Sequence, residues 1–163
     1  MTSTAPPVSF SHVGVTVPDL SAAIEWYGRV LGMYLLKGPI EVVEDDSSRG
    51  RAVASIYGTD FQRFRFAHLC GPDGVGLELF HFDNPPTTPR ENNFEYWRTG
   101  MHHFGVTARD VHATAERIAS EGGRIRSAPL VIDPGKGYAV IYCEDPWGTV
   151  IEVCSHPYAQ MWA

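Results

Sequence analysis

One short phrase occurs twice in this chain, and the repeat limits what the chain can fold into. His12-Val-Gly-Val-Thr16 returns in the second half as His103-Phe-Gly-Val-Thr107. Each copy runs into a similar successor, Val17-Pro-Asp-Leu20 and then Ala108-Arg-Asp-Val111. Each half also closes on a matching segment, Pro72-Asp-Gly-Val-Gly-Leu-Glu78-Leu-Phe80 and Pro146-Trp-Gly-Thr-Val-Ile-Glu152-Val-Cys154. Two copies of one small sheet-and-helix unit cannot each bury both faces of a sheet alone. They must pair with each other or with those of a second chain.

Alternation fixes the faces. In Phe10 to Val17 the residues Val13, Val15 and Val17 share one side of a predicted strand, and His12, Gly14 and Thr16 share the other. Asp19 is placed to cap a helix over 20–31, whose apolar stripe of Leu20, Ala23, Ile24, Tyr27 and Leu31 packs on the valines, with Gly32 ending it. Tyr34–Leu36, Ala52–Tyr57, Phe64–Leu69 and Val75–Phe82 each read as strands. The polar stretch Glu41–Gly50 is expected to be a surface excursion, and the plan of the half is β-α-β-β-β. The second half repeats it: a strand over Met101–Thr107, a helix capped by Asp110 and stopped by Gly122-Gly123, then strands near Arg124–Ser127, Tyr138–Cys143 and Thr149–Ser155. Asp133-Pro-Gly-Lys-Gly137 is turn-forming and expected to be mobile. The expected division is a disordered leader over 1–7, modules over 8–84 and 100–157, a linker over 85–99 and a tail over 158–163. The linker carries Phe94, Tyr96 and Trp97, too apolar for free solvent, so it is expected to lie across the body of the protein, as an anchor or as the roof of a ligand cavity.

Composition narrows the partners. A net charge of -6 over 163 residues supplies no basic stripe for phosphates, which argues against nucleic acid and anionic membranes. No apolar run approaches the ~20 residues that cross a bilayer. Met1 to Pro7 lacks the basic and apolar regions of a secretory signal. Cys70, Cys143 and Cys154 show no CxxC spacing and are expected to be reduced, buried thiols of a cytoplasmic protein. A small-molecule substrate remains.

The chemistry lies in the repeat. Parity puts His12 and His103 on the sheet sides away from their helices. Glu78 stands alone on its face between Leu77 and Leu79, as Glu152 does between Ile151 and Val153. Lone half-buried carboxylates are costly. Two imidazoles and two carboxylates converging on one divalent ion satisfy all four. His68 shares the parity of Phe64 and Phe66 and can line the same cavity. His81, His102, His112 and His156 are expected to be structural or solvated. Phe64, Phe66, Phe80, Phe82, Tyr138, Val140 and Tyr142 share the inward parity and, with Trp97 from the linker, form a candidate substrate pocket suited to an apolar or aromatic molecule.

Over residues 8–157 the chain resembles the vicinal oxygen chelate superfamily, which includes glyoxalase I, bleomycin-resistance proteins and extradiol dioxygenases. The resemblance is carried by His12-Val-Gly-Val-Thr-Val-Pro-Asp-Leu20, Trp26-Tyr27, Leu31-Gly32 and Glu144-Asp-Pro-Trp-Gly-Thr-Val-Ile-Glu152. It implies an α+β fold in which two tandem βαβββ modules form a curved, partly open mixed β-barrel with helices outside. The set His12, Glu78, His103 and Glu152 is similar to the ligand set of bacterial glyoxalase I, so the resemblance implies one Ni, Co, Zn, Mn or Fe ion per site and a homodimer. It further implies a lyase or isomerase that abstracts a proton beside a carbonyl and stabilises an enediolate, with Glu152, or else Glu78, as the base. The family also offers an extradiol dioxygenase, or a non-catalytic small-molecule-binding resistance protein. The linker Pro89-Arg-Glu-Asn-Asn-Phe-Glu-Tyr-Trp97 does not match the glutathione-binding residues of glyoxalase I.

Overall fold

The computed structural model describes residues 6–58 and 61–163 of the chain. The elements of the first half are β1 (His12–Thr16), α1 (Leu20–Leu31), β2 (Tyr34–Val43), α2 (Ser48–Tyr57), β3 (Arg63–Cys70) and β4 (Gly76–Asn84). Those of the second are β5 (Phe104–Thr107), α3 (Val111–Ser120), β6 (Arg124–Ile125), β7 (Leu130–Asp133), β8 (Tyr138–Glu144), β9 (Val150–Cys154) and α4 (Tyr158–Met161). Each half builds one mixed sheet, in the orders β1-β4-β3-β2 and β5-β9-β8-β6, with β7 added along β8. Both first strands run parallel to the last strand of their module. The sheets stay open, and the α+β architecture expected from the repeat is present.

The helix caps follow the sequence. Asp19 accepts from the Ala22 amide at 3.0 Å and Asp110 from the Ala113 amide at 2.9 Å, each meeting an otherwise orphaned donor of the first turn. Gly32 takes the left-handed conformation that ends α1. The valine face of β1, the Leu77/Leu79 face of β4 and the Ile151/Val153 face of β9 all pack into one core, which also holds Leu20, Ala23, Trp26, Tyr27 and Val30 of α1 and Val111, Ala115 and Ile118 of α3. The two modules are thus joined through their helices.

Four expectations need correction. Ala52–Tyr57 belongs to the helix α2, not to a strand: Ser47 caps it by accepting from the Gly50 amide, and Gly58 closes it. With that strand withdrawn, three strands follow α1, as the plan requires. The excursion at 41–50 is shorter than expected, because β2 runs on to Val43. Met101 to His103 lie outside β5, so strand alternation does not govern His102. Finally, the second sheet gains the edge strand β7, and residues 158–161 of the tail form the short helix α4. The leader falls mostly on residues 1–5, outside the described residues; Pro6 and Pro7 are exposed. Cys70, Cys143 and Cys154 are free and buried. No helix among the described residues is long and apolar enough to cross a membrane.

Candidate active site

Strand register brings a histidine and a glutamate together in each module. Gly14 of β1 faces Glu78 of β4, two residues along from His12, and Gly105 of β5 faces Glu152 of β9 in the same relation to His103. Nε2 of His12 lies 3.4 Å from Oε2 of Glu78, and Nε2 of His103 lies 3.5 Å from Oε2 of Glu152. A Cβ built on Gly105 stands 3.7 Å from Oε2 of Glu152, so a larger side chain would cover that carboxylate.

The surroundings of the two couples differ. At the first, Nδ1 of His68 approaches Oε1 of Glu78 at 3.2 Å, so His68 joins the pair as its parity allowed. At the second, the Tyr142 hydroxyl donates to Oε1 of Glu152 at 2.8 Å and leaves Oε2 toward His103. Burial, reinforced by that bond to Glu152, pushes the Tyr142 phenol far up, so it remains a donor at neutral pH. Burial also pulls His103 down from its ordinary value, against the pull of Glu152, which favours a neutral imidazole.

Tyr96 of the linker packs at a tilt against His102 and stacks on His103, with ring centroids 4.2 and 5.8 Å away, and its buried hydroxyl has no hydrogen-bond partner. His102 turns back so that its Nδ1 lies 2.8 Å from Nδ1 of His103. Tyr96 is one of the three linker aromatics expected to lie across the body of the protein, and its contact with His102 and His103 is what no periodicity in the linker could specify.

Both couples lie on sheet faces turned away from the shared helical core. Among the described residues, no three His, Cys, Asp or Glu side chains are grouped to hold a metal ion. Each module therefore offers an imidazole–carboxylate half-set, and within one chain the two half-sets do not meet.

The expected pocket residues are divided: His68 and Tyr142 stand beside Glu78 and Glu152, and the others lie elsewhere. Phe64 is sealed beneath α2 with Phe61 and Val42, and Phe66, Phe80 and Phe82 pack around it. Tyr138 is covered by Met161 of α4. Trp97 is exposed. A cleft of about 920 Å³ opens elsewhere, between β1, the linker and the second sheet, and its wall includes His102, His103, Arg90, Arg124, Arg126 and Trp147. The apolar lining expected from strand parity is corrected: Phe64, Phe66, Phe80 and Phe82 pack together under α2, and polar and apolar side chains share the open wall of the cleft.

Over residues 9–153 the chain matches the Glyoxalase/Bleomycin resistance protein/Dioxygenase superfamily. The chain belongs to this superfamily. Among relatives of this superfamily member, a 2-epi-5-epi-valiolone epimerase from Actinomyces sp is 29% identical over 92% of this chain and 80% of its own length. The lactoylglutathione lyase GLX1 of Arabidopsis thaliana is 27% identical over 88% of this chain, which spans only 43% of that enzyme. A glyoxalase family protein from Bacillus cereus shares the fold with a TM-score of 0.74 at 21% identity, covering 94% of this chain and 97% of its own. Glyoxalase I from Zea mays aligns with a TM-score of 0.57 at 22% identity over 90% of this chain and 44% of its own.

Proposed function

We propose that this superfamily member is a metal-dependent lyase or isomerase that moves a proton on the carbon beside a carbonyl of a small oxygenated substrate. One observation carries the reading: the same imidazole–carboxylate couple recurs at equivalent positions of both modules, on the face opposite the shared core. The names of the epimerase and lyase relatives agree with proton transfer of this kind.

The donors fit a divalent cation, since neutral imidazole nitrogen and carboxylate oxygen both suit one. His12 and Glu78 from one copy, with His103 and Glu152 from a second copy, would hold it. When bound, such an ion supplies Lewis acidity toward a substrate oxygen. The remaining work belongs to the side chains. Glu152 takes the proton beside the carbonyl; Tyr142 fixes one of its oxygens, so the carboxylate turns within a narrow range; Glu78, on the other side, receives or returns a proton where the configuration at carbon is inverted.

Elemental analysis of protein purified without chelators tests the ion. Deuterium uptake at carbon tests the reaction, with the glutathione–methylglyoxal adduct and 2-epi-5-epi-valiolone as probes. Glu152→Gln is expected to keep most of the metal while slowing exchange by about 10²–10⁴-fold. Full metal content with an unchanged exchange rate in that variant removes Glu152 from its role. A wild-type protein devoid of metal removes the reading itself.

A further inference from the structure

The face of the second sheet that carries His103 and Glu152 also carries a group of arginines. Tyr142 and Glu144 are two residues apart on β8 and so share a side, about 7 Å apart along the strand. Tyr142 pairs with Glu152 and Glu144 pairs with Arg124, so the two clusters are neighbours on one surface. Glu144 is only 3% exposed, and its side chain is met by two arginines. Nε of Arg124 lies 2.9 Å from its Oε2 and Nη1 of Arg126 lies 3.5 Å from its Oε1, so two guanidiniums share one carboxylate. An excess positive charge remains in a chain whose net charge is -6.

Arg126 is held from a second side as well. Its Cζ lies 4.0 Å over the ring of Phe94, a linker residue. The linker is itself tied down, because the Asn93 side-chain amide donates to the Gly148 carbonyl. A guanidinium fixed by a buried carboxylate and a stacked ring is pre-organised, and binding through its remaining N–H edges costs little ordering. Arg124 and Arg126 both line the 920 Å³ cleft, Arg90 and Glu91 of the linker line it too, and the wall continues to His102 and His103.

We propose that this cleft holds an oxyanion subsite, in which Arg126 and Arg124, buttressed by Glu144 and joined by Arg90, bind the carboxylate or phosphate of a small organic ligand whose other end reaches His103 and Glu152. Calling that ligand the substrate rests on the proton-transfer reading above; the binding itself does not. The substrate is then an acidic molecule, with its anionic group several ångströms from the carbon that exchanges.

The test uses the full chain stripped of metal by chelator, so that it is independent of turnover. Isothermal titrations with inorganic phosphate and, separately, with succinate are run at an ionic strength matched with sodium chloride. Saturable one-to-one binding of either probe, with a Kd on the order of 1 mM, is expected. Arg126→Lys keeps the charge facing Glu144 but loses the planar fork, and is expected to weaken binding about tenfold. Arg124→Gln, at a side chain that is mostly exposed, is expected to do the same, and it carries the test should Arg126→Lys fail to fold. Binding of phosphate alone, or of succinate alone, supports the subsite and names the group. No saturation by either probe, or unchanged affinity in folded variants, overturns it. Anion binding in a protein whose carbon exchange has failed leaves the subsite standing and sinks only the proton-transfer reading.

Discussion

Asp145 is where single atoms decide how firmly the two halves hold together. Its Oδ2 accepts from the Tyr27 hydroxyl at 2.7 Å, and its Oδ1 from the amides of Trp147 and Thr149 at 2.9 and 2.7 Å. Tyr27 comes from the first module and Asp145 from the second, and both are buried. Tyr27→Phe removes one donor to a buried acceptor and is expected to cost about 2 kcal/mol in chemical denaturation. Burial pushes the Asp145 carboxyl up, although these hydrogen bonds pull it down. Below the ordinary aspartate value of about 3.9 the group is protonated in both folded and unfolded chains. Above its raised folded value it is ionised in both, and the folded chain carries the burial cost. Its contribution is therefore fully present in acid and is lost as pH rises from about 4 through the folded value. Asp145→Asn cannot titrate, so the stability of the variant relative to wild type is expected to improve as pH rises through that window. A difference that is flat from pH 3.5 to 7 contradicts the raised value. At this scale the repeat singled out His12, Glu78, His103 and Glu152 as one set, and the structure arranges them as two couples, one in each module. Tyr142 was legible as inward-facing but not as the donor to Glu152, since a bond between β8 and β9 depends on a register that composition does not display.

The element that the sequence most disguises is α2. Ala52-Val-Ala-Ser-Ile-Tyr57 mixes helix-forming alanine with β-branched residues and is too short for periodicity to separate the two states. The discriminating signals lay outside it, in Ser47 as cap and Gly58 as terminator. Gly50 matters too: a Cβ there would stand 2.3 Å from the Asp45 carbonyl oxygen, so the loop entering the helix closes only over glycine. The helix is held to the sheet largely by Tyr57, whose ring meets Phe61, Phe64, Phe80 and Phe82 edge-on at centroid distances of 5.1 to 6.1 Å. Of its residues only Gly50 is buried, which marks α2 as an element of low local stability. Tyr57→Ala is expected to raise amide exchange across 48–57 severalfold and leave exchange in α1 and β4 unchanged. Equal acceleration in all three would show that α2 unfolds only with the whole molecule. The edge strand β7 escaped notice for a related reason: it is four residues between Pro129 and the Asp133 turn, and pairing along β8 supplies what its own pattern lacks.

At the scale of the whole molecule, the helix layer decides what the outer faces can do. The indole N–H of Trp26 donates to the Glu121 carbonyl at 2.9 Å, its ring meets Trp147 edge-on at 6.2 Å, and Arg29 pairs with Glu121 at 2.9 Å. These contacts commit the apolar side of each module to its neighbour in the same chain and leave the histidine–glutamate faces turned outward. A closed, symmetric pair of chains can then bring the first module of each copy against the second module of the other. This arrangement predicts complementation between two damaged proteins. In a dimer of His12→Ala chains both proposed ion sites are damaged, and the same holds for His103→Ala. When the two variants are unfolded, mixed and refolded together, each mixed dimer has one site with both lesions and one with none. Random pairing restores about a quarter of all sites, so metal content and deuterium exchange should rise to roughly that fraction of the wild-type level. A site completed within one chain cannot recover by mixing. Metal and activity that stay at the level of the separate variants, in dimers shown to have exchanged subunits, rule out a site shared between copies.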